Sequence, residues 1–331
     1  MFKRSCTLLA KAPQQQVLEW LGSIETILFG SDGVLWKFDD PIKGSVETFN
    51  ALRAKGKRCF IVTNDSSMVA SELAQKAMCL GFKVEEKEVL SSAACISNYL
   101  VAKKFNKKVL VVGDTGIRKE LEKAGIQSVT TDQEAGEGQM GHFARQIEVD
   151  PDVGAVVVGR DESFNVSKIV VAGTYLLNPK VLFLGTCMDT YYPVCDKRVT
   201  VGAAAMVAAI EKSSKRKPLI MGKPNPQMVN KLRQSGSLKP EKTLVIGDRL
   251  NSDIIFASNC GYKSLLVGSG AGSLEEAQKL QKEGNEKKLK MVPDTYLPSL
   301  GHLMDYLCVD EKSKESDEGK AGKKGCRQQR K

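Results

Sequence analysis

Four short stretches place carboxylates, hydroxyls, an amide and an amine directly after apolar runs. They are Gly30-Ser31-Asp32, Thr63-Asn64, Gly222-Lys223 and Gly247-Asp248-Arg249-Leu250-Asn251-Ser252-Asp253. Phosphoryl transfer needs such parts: a cation to neutralise phosphate oxygens, donors to hold the transferring group, and an acid for the leaving oxygen. Asp248 and Asp253 stand at the two ends of one loop. They could hold magnesium, which takes one or two carboxylates and completes its shell with phosphate and water oxygens. Any one stretch alone reads as a turn, a helix cap or a solvated charge. Four of them in order, each closing an apolar run, form a pattern.

These loops need elements that carry them to one place. Residues 12–22, with Val17, Leu18 and Leu21, read as a helix leading into a strand over 24–29. Ser45 can cap a helix through Arg53 that stops at Gly56. A strand at 58–62 runs into Thr63-Asn64, and helical periodicity follows over 67–81 and 91–105. The rhythm then restarts with strand 108–113, helix 114–125, a loop-like stretch at 130–145, strand 154–159, helix 167–177 and strand 181–185. A strand at 217–221 precedes Gly222-Lys223. A helix at 227–235, a strand at 243–246, a helix ending at Cys260, a strand at 263–267 and helices near 273–283 and 298–307 follow. Strands alternating with helices predict parallel sheets with right-handed crossovers. The fold class is therefore α/β: a doubly wound parallel-sheet core over residues 1–104 and 214–310, with a second α/β domain, residues 105–213, inserted into it.

Bulk properties narrow the function classes. The chain has 331 residues, 42% apolar and 27% charged, as an ordinary globular protein of two domains has. No apolar run approaches the ~20 residues that span a bilayer, so a membrane is not an expected partner. Nine scattered cysteines without a Cys-x-x-Cys pair read as reduced thiols in the cytoplasm. The net charge of +10 is uneven: residues 311–331 carry eight Lys/Arg against four Asp/Glu. That basic tail has no aromatic residue to stack a base, so a disordered, solvated end is expected and nucleic acid is not.

The stretch Phe29-Gly30-Ser31-Asp32-Gly33-Val34-Leu35-Trp36 resembles the first motif of the haloacid dehalogenase (HAD) phosphatases. More narrowly, it is similar to the capped phosphoglycolate, pyridoxal-phosphate and 4-nitrophenyl phosphatases, which read Phe-Asp-x-Asp-Gly-Val-Leu-Trp. The resemblance covers roughly residues 20–300 and implies a HAD core, with the insert as its cap. It implies a Mg2+ cofactor, a small phosphorylated metabolite as substrate, and a homodimer through the cap. It further implies that Asp32 is the general acid/base, with its backbone carbonyl on magnesium. Thr63 and Asn64 match phosphate-binding positions, Lys223 pairs with the phosphate, and Asp248 and Asp253 match the metal site. Residues 187–196, with Asp189, Tyr191 and Tyr192, lie where such proteins carry a substrate loop.

Gly30 stands where the resemblance places the attacking aspartate. Glycine can form no aspartyl-phosphate and gives no carboxylate to a metal. Strand alternation turns Ser31 away from its neighbours' side, so it is not expected to substitute. Loss of a covalent nucleophile commonly costs on the order of 10⁴–10⁶ in turnover. Asp65 and Met68 also stand where the resemblance has Asn and Lys, and Cys187 and Thr190 replace Asn in the cap loop. The sequence thus predicts a small-molecule phosphomonoesterase by lineage, impaired in catalysis but retaining magnesium and phosphate-ester binding. Two alternatives stay open: an active magnesium-dependent phosphatase using a directly attacking water, and a scaffold or nucleic-acid contact built on the basic tail.

Overall fold

The computed structural model describes residues 2–131, 134–195 and 198–308, so the basic tail at 311–331 lies outside the described residues. The chain lays down β1 (Thr7–Leu8), β2 (Thr26–Phe29), β3 (Arg58–Thr63) and β4 (Val89–Ser91). It then departs into β5 (Lys108–Val112), β6 (Ser128–Val129), β7 (Val153–Val158) and β8 (Leu182–Gly185), a hairpin of β9 (Tyr191–Cys195) and β10 (Arg198–Val201), and β11 (Leu219–Ile220). It returns with β12 (Thr243–Gly247), β13 (Lys263–Val267) and β14 (Thr295–Leu297). Every residue of β2, β7 and β12 is buried, which is why these strands read as unbroken apolar runs rather than as alternation.

Two parallel sheets result. The larger has the order β1-β14-β13-β12-β2-β3-β4 and the smaller β11-β8-β7-β5-β6. In the larger sheet the chain builds outward from β2 through β3 and β4, then restarts on the other side of β2 with β12. The topological switch point therefore lies between β2 and β12, where open α/β sheets form their ligand crevice. Strands β12 and β2 are in register from Thr243 with Thr26 to Ile246 with Phe29, so Gly30 and Gly247 leave the sheet side by side.

Four features differ from the sequence expectations. The inserted sheet ends with β11, which pairs with β8, so the return to the core comes after Ile220 rather than at 214. The hairpin β9–β10 forms where only a loop was expected, and Met140–Gln146 is a short helix that overlaps the end of the expected loop 130–145. Strands β1, β4 and β14 span two or three residues, too few to show any periodicity in sequence. The helix Ser92–Ala102 buries Ile96 and Leu100 in one cluster with Leu28, Val62 and Val245 of the larger sheet and Val109, Val111 and Val157 of the smaller. The two sheets thus share apolar packing. No helix among the described residues is long and apolar enough to cross a membrane.

Candidate active site

The carboxyl ends of β2, β3 and β12, with the loop after β11, bring the four chemistry-bearing stretches together. Lys223 is buried, and its Nζ donates to Val62 O and to Asp253 Oδ1, each at 2.7 Å. The other oxygen of Asp253 accepts from the backbone N–H groups of Asp248 (3.3 Å) and Arg249 (3.1 Å). A buried ammonium and a buried carboxylate therefore satisfy one another, and the ammonium keeps one donor for a ligand. Asp248, 4% exposed, accepts from Ala271 N at 2.9 Å. Burial, then the neighbouring Asp253, pushes its carboxyl up to about 7. Gly33 makes this approach possible: its φ is +78°, and a Cβ there would lie 2.6 Å from Asp248 Oδ2.

Gly30 is different. A Cβ at this position would meet Val34 Cγ2 at 3.1 Å and Asp253 Oδ1 at 3.7 Å, with no positive φ to forbid it. A side chain at 30 would fit after a small movement of Val34. It would also sit beside the Lys223–Asp253 pair.

Asp32 is half-buried, and burial followed by the charge of Asp65 pushes its carboxyl up to about 6. Asp65 folds back on its own turn, with Oδ1 accepting from Ser67 N at 2.8 Å and Ser67 Oγ at 2.7 Å. The orientation of Ser31 corrects the expectation from strand alternation. Its Oγ lies 2.7 Å from Thr63 Oγ1 and 3.0 Å from Asp32 Oδ2, on the side of the site. The strand has ended at Phe29, and the backbone turns at once, with Leu35 N donating to Ser31 O, so alternation no longer applies.

Asn64 is fully engaged within the protein. Its Oδ1 accepts from Lys223 N at 2.7 Å, and its Nδ2 lies 3.2 Å from Asp189 Oδ2 and 3.3 Å from Lys223 O. One amide thereby ties together the β3 loop, the Gly222-Lys223 loop and the cap segment. Buried Asp189 also accepts from Tyr192 Oη at 3.4 Å. Asp32, Asp248 and Asp253 do not form one three-carboxylate cluster. Among the described residues, no three His, Cys, Asp or Glu side chains come together where a metal ion could sit. Gly30 contributes no carboxylate, and both oxygens of Asp253 are spent on Lys223 and the amides.

A cavity of about 450 Å³ opens between core and cap, with Asp32, Asn64, Asp65, Lys76, Arg160 and Tyr192 on its walls. Sequence reasoning did not single out its cations. Lys76 pairs with Asp39 at 3.0 Å and lies 5.8 Å above the Trp36 ring. Arg160 pairs with Asp114 of the smaller sheet's first loop at 3.1 Å. Arg249 bridges the two domains: its Nη2 donates to Tyr191 O at 2.6 Å, and its guanidinium lies 5.7 and 5.5 Å from the rings of Tyr191 and Tyr192. Nothing in the spacing of Arg249 separates it from a solvated charge. Its partners lie 58 residues away in sequence.

Comparison with known proteins identifies the family. The haloacid dehalogenase-like hydrolase family model matches residues 27–127, and a HAD-hydrolase-like model matches residues 220–300. The chain is 36% identical over 297 residues to glycerol-3-phosphate phosphatase of Rattus norvegicus, covering 87% of this chain and 92% of the relative. It is 37% identical over 318 residues to phosphoglycolate phosphatase 1A, chloroplastic, of Arabidopsis thaliana, covering 92% of this chain and 83% of the relative. Among solved structures, a glycerol phosphate phosphatase of Mycobacterium tuberculosis in complex with magnesium superposes with a TM-score of 0.68. Its identity is 24%, over 85% of this chain and 77% of that one.

Proposed function

The chain belongs to the haloacid dehalogenase-like hydrolases, in the lineage of the glycerol-3-phosphate and phosphoglycolate phosphatases, and on that premise we propose that it binds a small phosphorylated metabolite but is impaired in hydrolysing it. Gly30 carries this reading. The site keeps an oriented lysine, an acid of raised pKa and a cavity between two domains, yet it offers no carboxylate where the lineage forms its phospho-enzyme. Lys223 meets the phosphate with its remaining N–H, the Thr63 hydroxyl adds a hydrogen bond, and Asp32 holds the proton destined for the leaving oxygen.

Magnesium would neutralise phosphate charge in this site, held by Asp248 and the Asp32 carbonyl. Those donors suit an ion that arrives with its phosphate rather than one caged by protein alone, since Asp253 is committed to Lys223. The cap's Tyr192 and Arg160, facing the same cavity, receive the rest of the metabolite.

A second reading, slow hydrolysis by water, is favoured by the open space at Gly30 and by the neighbouring Asp32, whose raised pKa suits it to take the attacking water's proton. Steady-state hydrolysis of 4-nitrophenyl phosphate with magnesium, measured for the native chain beside Gly30→Asp, separates the two. The impaired reading expects the variant to exceed the native chain by at least about 10³. Comparable rates would refute it. Calorimetric titration of the native chain with the same ester and magnesium is expected to show saturable binding.

A further inference from the structure

Several polar groups on the walls of the cavity between core and cap are already spent. The Asn64 amide is committed to Lys223 and Asp189, the Tyr192 hydroxyl donates to Asp189, and Lys76 pairs with Asp39. These groups offer a ligand little that is not taken.

Two opposite charges on the same walls keep capacity. On the core side, Asp65 holds Ser67 through Oδ1 alone, and its Oδ2 has no partner among the described residues. On the cap side, Arg160 follows β7. A guanidinium carries five N–H donors. Arg160 spends Nε on Asp114 at 3.1 Å and sets Nη2 at 3.3 Å from Glu162, while Nη1 has no partner among the described residues. Burial opposes the Arg160 charge, but Asp114, Asp65 and Glu162 hold it on. Asp65 is thus near enough to act on Arg160 without pairing with it. Asp65 also acts on Asp32, second only to burial, so it lies close to the group that meets the leaving oxygen.

We propose that the metabolite is the phosphate ester of a hydroxy amino acid, with its ammonium on Asp65 Oδ2 and its carboxylate on Arg160 Nη1. The inference rests on the reading of this site as one that binds a phosphate ester, and it adds the chemistry of the part that is not phosphate. Such a molecule carries opposite charges on one carbon, a short chain from the ester oxygen, and they meet opposite charges on facing walls. The ammonium offsets Asp65, whose charge otherwise repels the phosphate. The carboxylate accepts a charge-assisted hydrogen bond from the arginine. An ester with a carboxylate alone faces Asp65 uncompensated, and one with an amine alone leaves the arginine donor unmet.

The test is calorimetric titration of the full chain, in magnesium, with O-phosphoserine, O-phosphoethanolamine, phosphoglycolate and glycerol 3-phosphate. The first carries both charges beside its phosphate, the next two carry one each, and the last carries neither. O-phosphoserine should bind at least about tenfold more tightly than glycerol 3-phosphate. Asp65→Asn, which keeps an acceptor for Ser67, should weaken O-phosphoserine and O-phosphoethanolamine about tenfold and leave glycerol 3-phosphate no weaker. Arg160→Gln should weaken O-phosphoserine and phosphoglycolate and leave O-phosphoethanolamine unchanged. Variants that weaken all four esters alike overturn the proposal. If glycerol 3-phosphate binds and O-phosphoserine binds no more tightly, this inference falls while the phosphate-ester reading stands. If no ester binds, both fall. Should Arg160→Gln not fold by circular dichroism, Asp65→Asn decides it.

Discussion

At the scale of single residues, the site is a set of buried charges whose partners are fixed. The Lys223–Asp253 pair is almost wholly removed from water. Replacing Lys223 by Met strands the carboxylate, and a loss on the order of 3–5 kcal/mol is expected in urea unfolding. The double variant Lys223→Met/Asp253→Asn, whose amide oxygen can still accept from the Asp248 and Arg249 N–H groups, should recover much of that loss, because no buried charge is left unpaired. Asp248 gives a prediction of opposite sign. Its folded carboxyl sits near 7, above its unfolded value, so the folded state binds the proton more tightly. The stability from that proton is full below about pH 4 and is lost as pH rises through about 7. Asp248→Asn, which can still accept from Ala271 N, should therefore be more stable to unfolding than the native chain at pH 8 in chelator, by on the order of 1–3 kcal/mol. The two should converge near pH 4. A variant that melts lower at pH 8 would show that the carboxylate is compensated there.

At the scale of elements, Arg249 ties the hairpin β9–β10 to the core. The hairpin is exposed at Val194, Val199 and Val201 and offers little apolar burial of its own. A hydrogen bond to Tyr191 O and two cation–π contacts then tie it to the loop after β12. Arg249→Ala should cost about 1–2 kcal/mol in global stability. Its sharper signature is faster amide hydrogen exchange confined to residues 188–202, measured by mass spectrometry. Exchange that rises equally throughout the chain would mean that the arginine supports the whole core instead.

At the scale of the whole molecule, the two sheets share one apolar cluster across the helix Ser92–Ala102. Domains that share a core unfold together, so a single calorimetric transition is expected. Val111→Ala, in the smaller sheet at 2% exposure, should lower that one transition by about 1–3 kcal/mol rather than split it in two. Two resolved transitions would place the boundary between independent units. The same shared packing explains why β11 belongs to the smaller sheet although Gly222-Lys223 belongs to the candidate site. A two-residue strand delivers the lysine across the junction.

Much of this architecture was legible in the sequence, because buried parallel strands are continuous apolar runs and each ends in a loop of small or charged residues. Thr26–Phe29, Val153–Val158 and Thr243–Gly247 announce themselves in that way, and Gly30 is visible as the glycine that directly follows the first of them. Strands β1, β4, β6 and β14 were not legible, since two or three residues carry no period and form only because a neighbouring edge offers hydrogen bonds. The partners of the charges were not legible either. That Asn64 spends its amide on Asp189 and Lys223, that Ser31 turns toward Asp32, and that Arg249 clasps the cap tyrosines all depend on contacts between distant segments. Sequence determined which groups are present and that they follow strands. Only the tertiary structure decided which of them are already spent on one another, because a hydrogen bond is a matter of distance and direction in space, which residue order does not carry.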